Sequence, residues 1–185
     1  METSYYLSKV LEELTHSVQQ ITDADAESLV KAIRSSKKIF VAGAGRSGFM
    51  GKSFAMRMMH MGIDSYVVGE TVTANITEND LLIIASGSGE TKSLISMAEK
   101  AKGYGAKLAV VTINPESTIG KLADSVVKMP GSPKDQAFSK YQTIQPMASL
   151  FEQTLLLFFD SVILRYMELV GLNSNSMFSR HANLE

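Results

Sequence analysis

The sequence of 185 residues contains no cysteine and no tryptophan, and it has only four prolines and three histidines. The lack of cysteine excludes disulfide bonds, thiolate metal sites and a cysteine nucleophile, and it is typical of proteins in a reducing compartment. With so few histidines, no cluster has the spacing of metal ligands, so we expect no metal site.

An excess of charge of either sign is also lacking, since the formal net charge is −1. Without a basic field, neither nucleic acid nor an anionic membrane is an expected partner, and any anion site must be local. The most apolar stretch, residues 150–164, is too short to cross a bilayer and is interrupted by Glu152, Gln153 and Asp160. The N-terminus does not have the pattern of a secretory signal, and we expect a cytoplasmic protein.

Short apolar runs alternate with helical patterns, which predicts βαβ units and a parallel sheet in a single α/β domain over residues 1–185. The predicted strands are residues 38–42, 65–69, 80–85, 107–113 and 125–129. The predicted helices are residues 5–21, 25–35, 47–61, 91–104 and 119–123, and a long helix from Pro146 to about Gly171. We expect N-terminal helices at about 4–35, a loop at 130–141 and a C-terminal tail at about 172–185.

Residues 43–48 (Gly-Ala-Gly-Arg-Ser-Gly), the first loop, follow a predicted strand and match the dinucleotide fingerprint G-x-G-x-x-G. A dinucleotide site also needs an acidic residue after the next strand, where Glu70 occurs. However, Arg46 and Ser47 place polar side chains at the centre of the loop, where they can face a small substrate. The first loop alone leaves open both a cofactor-dependent oxidoreductase and a substrate site.

Residues 86–91 (Ser-Gly-Ser-Gly-Glu-Thr), the second loop, lie between another predicted strand and a helix. Backbone amides at such a helix start attract anions, and serine and threonine hydroxyls donate to phosphate oxygens without adding charge. A serine-capped helix start is the plainer interpretation, but three hydroxyls within this short loop favour a phosphomonoester site. The predicted substrate-contacting residues are Ser47, Ser86, Gly87, Ser88, Gly89, Glu90 and Thr91.

The two loops together resemble those of the SIS (sugar isomerase) domain family, and the resemblance covers nearly the whole chain. Four further segments resemble a narrower group within the family, namely residues 54–62, 130–135, 145–153 and 180–185. Members of that group interconvert 3-hexulose 6-phosphate and fructose 6-phosphate in the ribulose monophosphate route of formaldehyde fixation. Another sugar-phosphate isomerase of the family, or a regulator that binds sugar phosphates without catalysis, remains open as an alternative.

This resemblance implies a flavodoxin/Rossmann-like, three-layer α-β-α sandwich around a five-stranded parallel sheet. It also implies an enzyme without a cofactor that acts on a sugar phosphate. The implied assembly is a homotetramer, or dimer of dimers, with sites near the subunit interfaces.

Isomerisation of this kind needs a base that takes a proton from carbon, and Glu152 is the candidate. It lies early in the last predicted helix among leucine and phenylalanine side chains, and apolar surroundings make a carboxylate a stronger base. The helix N-terminus opposes this effect, and a glutamate that only complements the helix dipole is the alternative. The resemblance also implies that Glu152 is the base.

A second group must move protons between the substrate oxygens, and His181 in the tail is the predicted partner. Such a tail is ordinarily disordered, but the resemblance implies that it packs into the site of a neighbouring subunit. His60 remains the alternative. Arg46 and Lys134 can neutralise phosphate or enediolate charge, but neither is included in the predicted site.

Overall fold

A computed structural model describes residues 2–131 and 143–184 and contains one sheet of five parallel strands. The strand order is β2-β1-β3-β4-β5. The strands are β1 (Ile39–Gly43), β2 (Ser65–Val67), β3 (Leu81–Ala85), β4 (Lys107–Thr112) and β5 (Ser125–Lys128). The predicted five-stranded parallel sheet is confirmed. The predicted loop at 130–141 lies largely outside the described residues.

Helices cover both faces of this sheet and produce the predicted three-layer sandwich. The helices in the described residues are α1 (Thr3–Val18), α2 (Asp23–Arg34), α3 (Gly45–His60), α4 (Lys92–Gly103), α5 (Thr118–Leu122), α6 (Ser149–Val170) and α7 (Ser174–Phe178). One core cluster contains side chains of α2, α3 and α6, and the other contains side chains of α4 and α5. The sheet therefore has no open face that would require polar residues in its central strands.

The strand β3 shows how its apolar run serves both faces. Leu81, Ile83 and Ala85 belong to the cluster under α3 and α6, whereas Leu82 and Ile84 belong to the cluster under α4. Successive side chains of a strand point to opposite faces, so a strand buried on both sides is apolar throughout.

Helices α3 and α6 pack side by side on the same face of the sheet. The rings of Phe54 and Phe159 stack between them, with centroids 4.2 Å apart. Both helices begin at the edge where the strands end, and their contact brings the start of α6 close to the first loop. This packing places residues from the last third of the chain at the candidate site.

The long helix begins at Ser149 and not at Pro146, where the sequence predicts it. Met147 adopts a left-handed backbone conformation with a φ of 59°, and Ala148, the residue before the helix, is also non-helical. This turn keeps Pro146 outside α6. The predicted tail also differs, because it contains α7, whose start is stabilised by a reciprocal capping box between Asn173 and Ser176.

Candidate functional site at the ends of β1 and β3

The two glycine-rich loops begin at paired positions of the sheet. Gly43 ends β1, Ala85 ends β3, and the two residues are register partners. The chain passes from β1 to β2 on one side and then continues as β3 on the other side of β1. The crevice beyond β1 and β3 is therefore a topological switch point, where open α/β sheets bind their ligands.

A cavity of about 170 Å³ lies between the loops and the start of α6. Five predicted residues line it: Ser47, Ser86, Gly87, Ser88 and Thr91. The remaining lining residues are Ala44, Ala85, Leu94, Ile113, Ala148 and Phe151. The cavity is smaller than the roughly 300–1,000 Å³ of most drug-sized ligand sites, so it suits a phosphate group better than a dinucleotide.

The hydroxyls of the second loop shape the loop and also face the cavity. The N–H of Gly89 donates to Ser86 Oγ at 3.1 Å, and the N–H of Glu90 donates to Ser88 Oγ at 3.2 Å. A hydroxyl that accepts such a bond still has its own hydrogen to donate. Thr91 is the N-cap residue of α4, but its side chain makes no capping bond. Three hydroxyls can therefore donate to an anion at the positive end of α4.

The outer glycines of the first loop permit close packing between β1 and α3. A Cβ on Gly48 would lie 2.7 Å from the carbonyl oxygen of Gly43, and a Cβ on Gly43 would lie 2.9 Å from Gly48 Cα. Close packing of strand and helix is also the role of the third glycine in the dinucleotide fingerprint. Local packing therefore accounts for the two outer glycines of G-x-G-x-x-G, and the middle one, Gly45, has a left-handed φ of 58°.

Gly89 and Glu90 are not among the residues that line the cavity, and they contact α5 and the residue before it. Gly89 has a φ of 65°, and a Cβ there would overlap the side chain of Ser117. The Glu90 carboxylate accepts bonds from the N–H of Thr118 at 2.7 Å and from Thr118 Oγ1 at 2.9 Å. These bonds hold the pKa of Glu90 below its ordinary value. Contact of these two residues with a ligand stays a prediction.

Glu152 lies in the first turn of α6, immediately after the cavity residue Phe151. Its side chain is buried, and Oε2 lies 2.9 Å from Nη1 of Arg46. The same guanidinium nitrogen donates to Ser149 Oγ at 2.8 Å. A buried carboxylate is costly without a partner, and Arg46 at the start of α3 provides the countercharge for Glu152.

His181 lies at the opposite end of α3 and α6 from Glu152. Its ring stacks on that of His60 with centroids 5.3 Å apart, and both rings border a second cavity of about 430 Å³. His60 ends α3, fourteen residues after Arg46, which is roughly 21 Å along the helix axis. The structure therefore brings His181 to His60 and leaves both far from Glu152 of the same chain.

Residues 2–131 and 143–184 contain neither a group of metal ligands nor a helix that could span a membrane. In these residues, no three histidine, aspartate or glutamate side chains are grouped as a metal ion would require. None of the helices described combines the length and the apolar character that crossing a membrane demands. Lys134, which the sequence suggests as a cation near the substrate, lies outside the described residues.

Comparison with known proteins identifies the family. The model of the SIS domain matches residues 32–158, a range that contains both glycine-rich loops and Glu152. The chain belongs to the SIS domain family. The matched range begins within α2 and ends within α6, so α1 and the C-terminal tail lie outside it.

Individual relatives of this SIS domain match it beyond that range. The 3-hexulose-6-phosphate isomerase of Bacillus subtilis (strain 168) is 58% identical over 185 residues, which cover 100% of both chains. That of Mycobacterium gastri is 38% identical over 179 residues, 97% of this chain and 89% of the relative. A solved structure from Methanococcus jannaschii, whose inferred function is that of a 3-hexulose-6-phosphate isomerase, has a TM-score of 0.83. It is 34% identical, with 98% of this chain and 99% of that chain covered.

The contacts that support this SIS site are not predicted from the sequence. Arg46 is expected only as a cation near the substrate, although its central position in the first loop is a usable signal. Ser149 precedes Glu152 by one helical turn, so the two share a helix face once the helix is assumed. Glu13 of α1 bonds to Thr143, 130 residues away, and no local pattern reports such a contact.

Proposed function

We propose that this chain interconverts 3-hexulose 6-phosphate and fructose 6-phosphate without a cofactor. The observation that carries the proposal is its 58% identity, over the full length of both chains, to the Bacillus subtilis 3-hexulose-6-phosphate isomerase. A phosphate-sized cavity with a buried carboxylate beside it is consistent with this reaction. The reaction belongs to the ribulose monophosphate route of formaldehyde fixation, and we propose a cytoplasmic location.

The substrate phosphate binds at the second loop. The hydroxyls of Ser86, Ser88 and Thr91 donate to its oxygens, and the first turn of α4 adds backbone amides and the helix dipole. Ser47 contributes a hydroxyl from the first loop. With the phosphate held there, the sugar carbons extend toward the start of α6, where Glu152 lies.

Glu152 takes the proton from C2 of 3-hexulose 6-phosphate. The electrons of the C2–H bond form a C2=C3 double bond, and the C3 carbonyl oxygen gains a proton to give the 2,3-enediol. In the second half, the C2 hydroxyl loses its proton, the C2 carbonyl forms, and Glu152 returns its proton to C3. Arg46 stays beside the site while negative charge moves from Glu152 to the enediolate, and it stabilises that charge.

His181 of a neighbouring copy moves the proton between the C2 and C3 oxygens. The distance between His181 and Glu152 within one chain supports a site completed by a second subunit. Exposed apolar side chains on α1, those of Tyr5, Tyr6, Leu7 and Leu11, support self-association. We propose a homotetramer, or dimer of dimers, which light scattering would detect.

The first experiment is an isomerase assay with 3-hexulose 6-phosphate against a panel of other sugar phosphates. Glu152→Gln should lower kcat by about 10²–10⁴-fold while binding of fructose 6-phosphate persists. Glu168→Gln is the matched control, because Glu168 is an exposed glutamate on the same helix that pairs with Arg165. Full activity in Glu152→Gln, or preference for another sugar phosphate, would refute the corresponding part of the proposal.

The second experiment tests the shared site. Glu152→Gln and His181→Ala subunits, each expected to have strongly reduced activity alone, are mixed under conditions that allow subunit exchange. Activity should return, because some sites then combine an intact Glu152 from one copy with an intact His181 from another. A mixture that stays inactive although exchange is demonstrated by mass spectrometry would exclude the role of His181 across the interface.

A further inference from the structure

The residues just before α6 determine where Glu152 lies. Residues 143–148, the entry segment, have no regular helix or strand structure. Ala148 at its end lines the phosphate-sized cavity, as does Phe151 in the following turn. The place of the base relative to the second loop therefore depends on how the entry segment is held.

Glu13 of α1 binds the beginning of the entry segment through three hydrogen bonds. Thr143 Oγ1 and Gln145 Nε2 donate to Glu13 Oε2 at 2.6 and 2.9 Å, and the N–H of Ile144 donates to Oε1 at 2.8 Å. Thr143 Oγ1 also accepts from the N–H of Gln145 at 3.0 Å. All three partners of Glu13 are donors, so this position requires acceptors at both side-chain oxygens.

The same contacts keep Glu13 ionised. Burial by itself would raise the pKa of Glu13, but the bonds from Thr143, Ile144 and Gln145 outweigh burial and leave the pKa below its ordinary value. Hydrogen bonds to an ionised carboxylate are shorter and stronger than those between neutral groups. The half-buried side chain of Glu13 is thus a charged anchor for the entry segment.

The other end of the entry segment has an unfavourable backbone conformation. Met147 is the one non-glycine residue with a positive φ in the described part of the chain, and its side chain is exposed. Such a conformation persists only where the surrounding structure fixes it. Here Glu13 fixes the chain before Met147, and the bond from Arg46 to Ser149 fixes the chain after it.

We propose that Glu13 is a positioning residue of the isomerase, which sets the place of Glu152 by anchoring the entry segment to α1. The proposal rests on the proposed function, because it takes Glu152 as the base. It makes α1 part of the catalytic apparatus, although no residue of α1 lines the cavity.

Glu13→Gln tests the proposal, with Glu12→Gln as the matched control. The amide presents an N–H₂ group to a surrounding of donors, so at least one of the three bonds is lost. Glu12 is exposed on the same helix and pairs only with Lys9 among the contacts described for it. Its substitution by Gln makes the same change of charge without touching the entry segment. Glu13→Gln should lower kcat roughly tenfold or more, with KM within about twofold of wild type, because a misplaced base slows the chemical step. Light scattering should show an unchanged assembly.

Thr143→Val removes the Thr143 donor to Glu13 and leaves Glu13 itself unchanged. This variant tests the same contact if Glu13→Gln folds poorly. Its effect on kcat and that of Glu13→Gln should be less than additive in the double variant, because both remove the same contact. Hydrogen exchange at the start of α6 should be faster in Glu13→Gln than in Glu12→Gln. Equal kcat values for these two variants, or equal exchange at the start of α6, would overturn the proposal. An inactive wild-type chain would instead overturn the proposed function, and exchange would still report whether Glu13 holds this segment.

Discussion

Arg46 lies with its Nη1 atom 2.9 Å from Glu152 Oε2 and thereby joins the first turns of α3 and α6. The carboxylate is buried, whereas 53% of the arginine side chain is exposed. During the proposed reaction, negative charge leaves Glu152 and appears on the substrate. We expect the guanidinium beside Glu152 to stabilise this charge as it moves.

Replacing Arg46 with Gln should therefore lower kcat by about 100-fold, a loss typical of removing one donor that stabilises a developing oxyanion. KM should change much less, because the proposed phosphate contacts of the second loop do not involve Arg46. Arg46→Lys should recover part of the activity, since it restores the charge but not the planar guanidinium. Steady-state kinetics on purified variants would measure both effects.

Lys52→Gln is the control for this prediction, because Lys52 is another exposed cation on α3 and pairs with Glu70. It should have nearly wild-type kinetics. Equal kcat values in the Arg46 and Lys52 variants would show that Arg46 has no specific part in the reaction.

Thr91→Val tests the phosphate site with little disturbance of the fold, since the Thr91 hydroxyl does not cap α4. Loss of one hydrogen bond to a charged phosphate costs about 1.5–3 kcal/mol, so KM should rise roughly tenfold or more while kcat changes little. Thr15→Val on α1 is the matched control, because its hydroxyl bonds only within its own helix among the contacts described. An unchanged KM in Thr91→Val would exclude this hydroxyl from phosphate binding.

Gly89→Ala should destabilise the protein, by about 1–3 kcal/mol for the left-handed backbone alone, because its φ is 65° and its Cβ would overlap Ser117. Gly103→Ala in α4 should instead stabilise the protein. Apart from its chain neighbours and the backbone of its own helix, no heavy atom lies within 4 Å of its Cβ position, and alanine is favoured over glycine in helices by about 0.5–1 kcal/mol. Thermal unfolding of the two variants compares the effects directly, and a stable Gly89→Ala would contradict the described loop geometry.

His60 should titrate below its ordinary pKa of 6.5, because burial, and then the nearby charges of Arg57 and His181, disfavour its protonated form. As the pH falls, His60 therefore becomes protonated in the unfolded chain before it does in the folded chain. The contribution of His60 to stability is therefore fully present above pH 6.5 and is lost as the pH falls from there through the folded pKa. In urea unfolding experiments, the urea concentration at the midpoint should decrease as the pH is lowered through this range.

Arg57→Gln should raise the pKa of His60 toward 6.5 and reduce this loss of stability. NMR titration of the imidazole protons would measure the pKa. Arg34→Gln on α2, which also removes one exposed arginine charge, is the control. A His60 pKa that does not differ between these two variants would show that Arg57 has no influence on it.

The sheet and the second loop could be predicted from the sequence because their causes are local. Buried strands such as β3 are continuous apolar runs, and the Ser-Gly-Ser-Gly-Glu-Thr segment follows one of them directly. A glycine-rich loop between a buried strand and a helix start requires only this order of residues. The position of Glu152 early in a helix was predictable for the same reason.

The contacts that complete the site are not local. Arg46 and Ser149 are 103 residues apart, and Glu13 reaches a segment more than a hundred residues away. The predicted start of α6 at Pro146 was wrong. It relied on a local preference for proline at the first helical position, whereas these distant bonds fix the turn at Met147. Glu90 also shows this limit, because no local pattern reports that its carboxylate bonds to Thr118 on a separate helix.

The stacked rings of Phe54 and Phe159 also constrain how related sequences can vary in length. Eight residues separate Arg46 from Phe54 along α3, and seven separate Glu152 from Phe159 along α6. One inserted residue in either interval would displace one partner by about 1.5 Å along its axis and rotate it by roughly 100°. Homologues that retain the Arg46–Glu152 pair should therefore conserve both intervals without insertion or deletion.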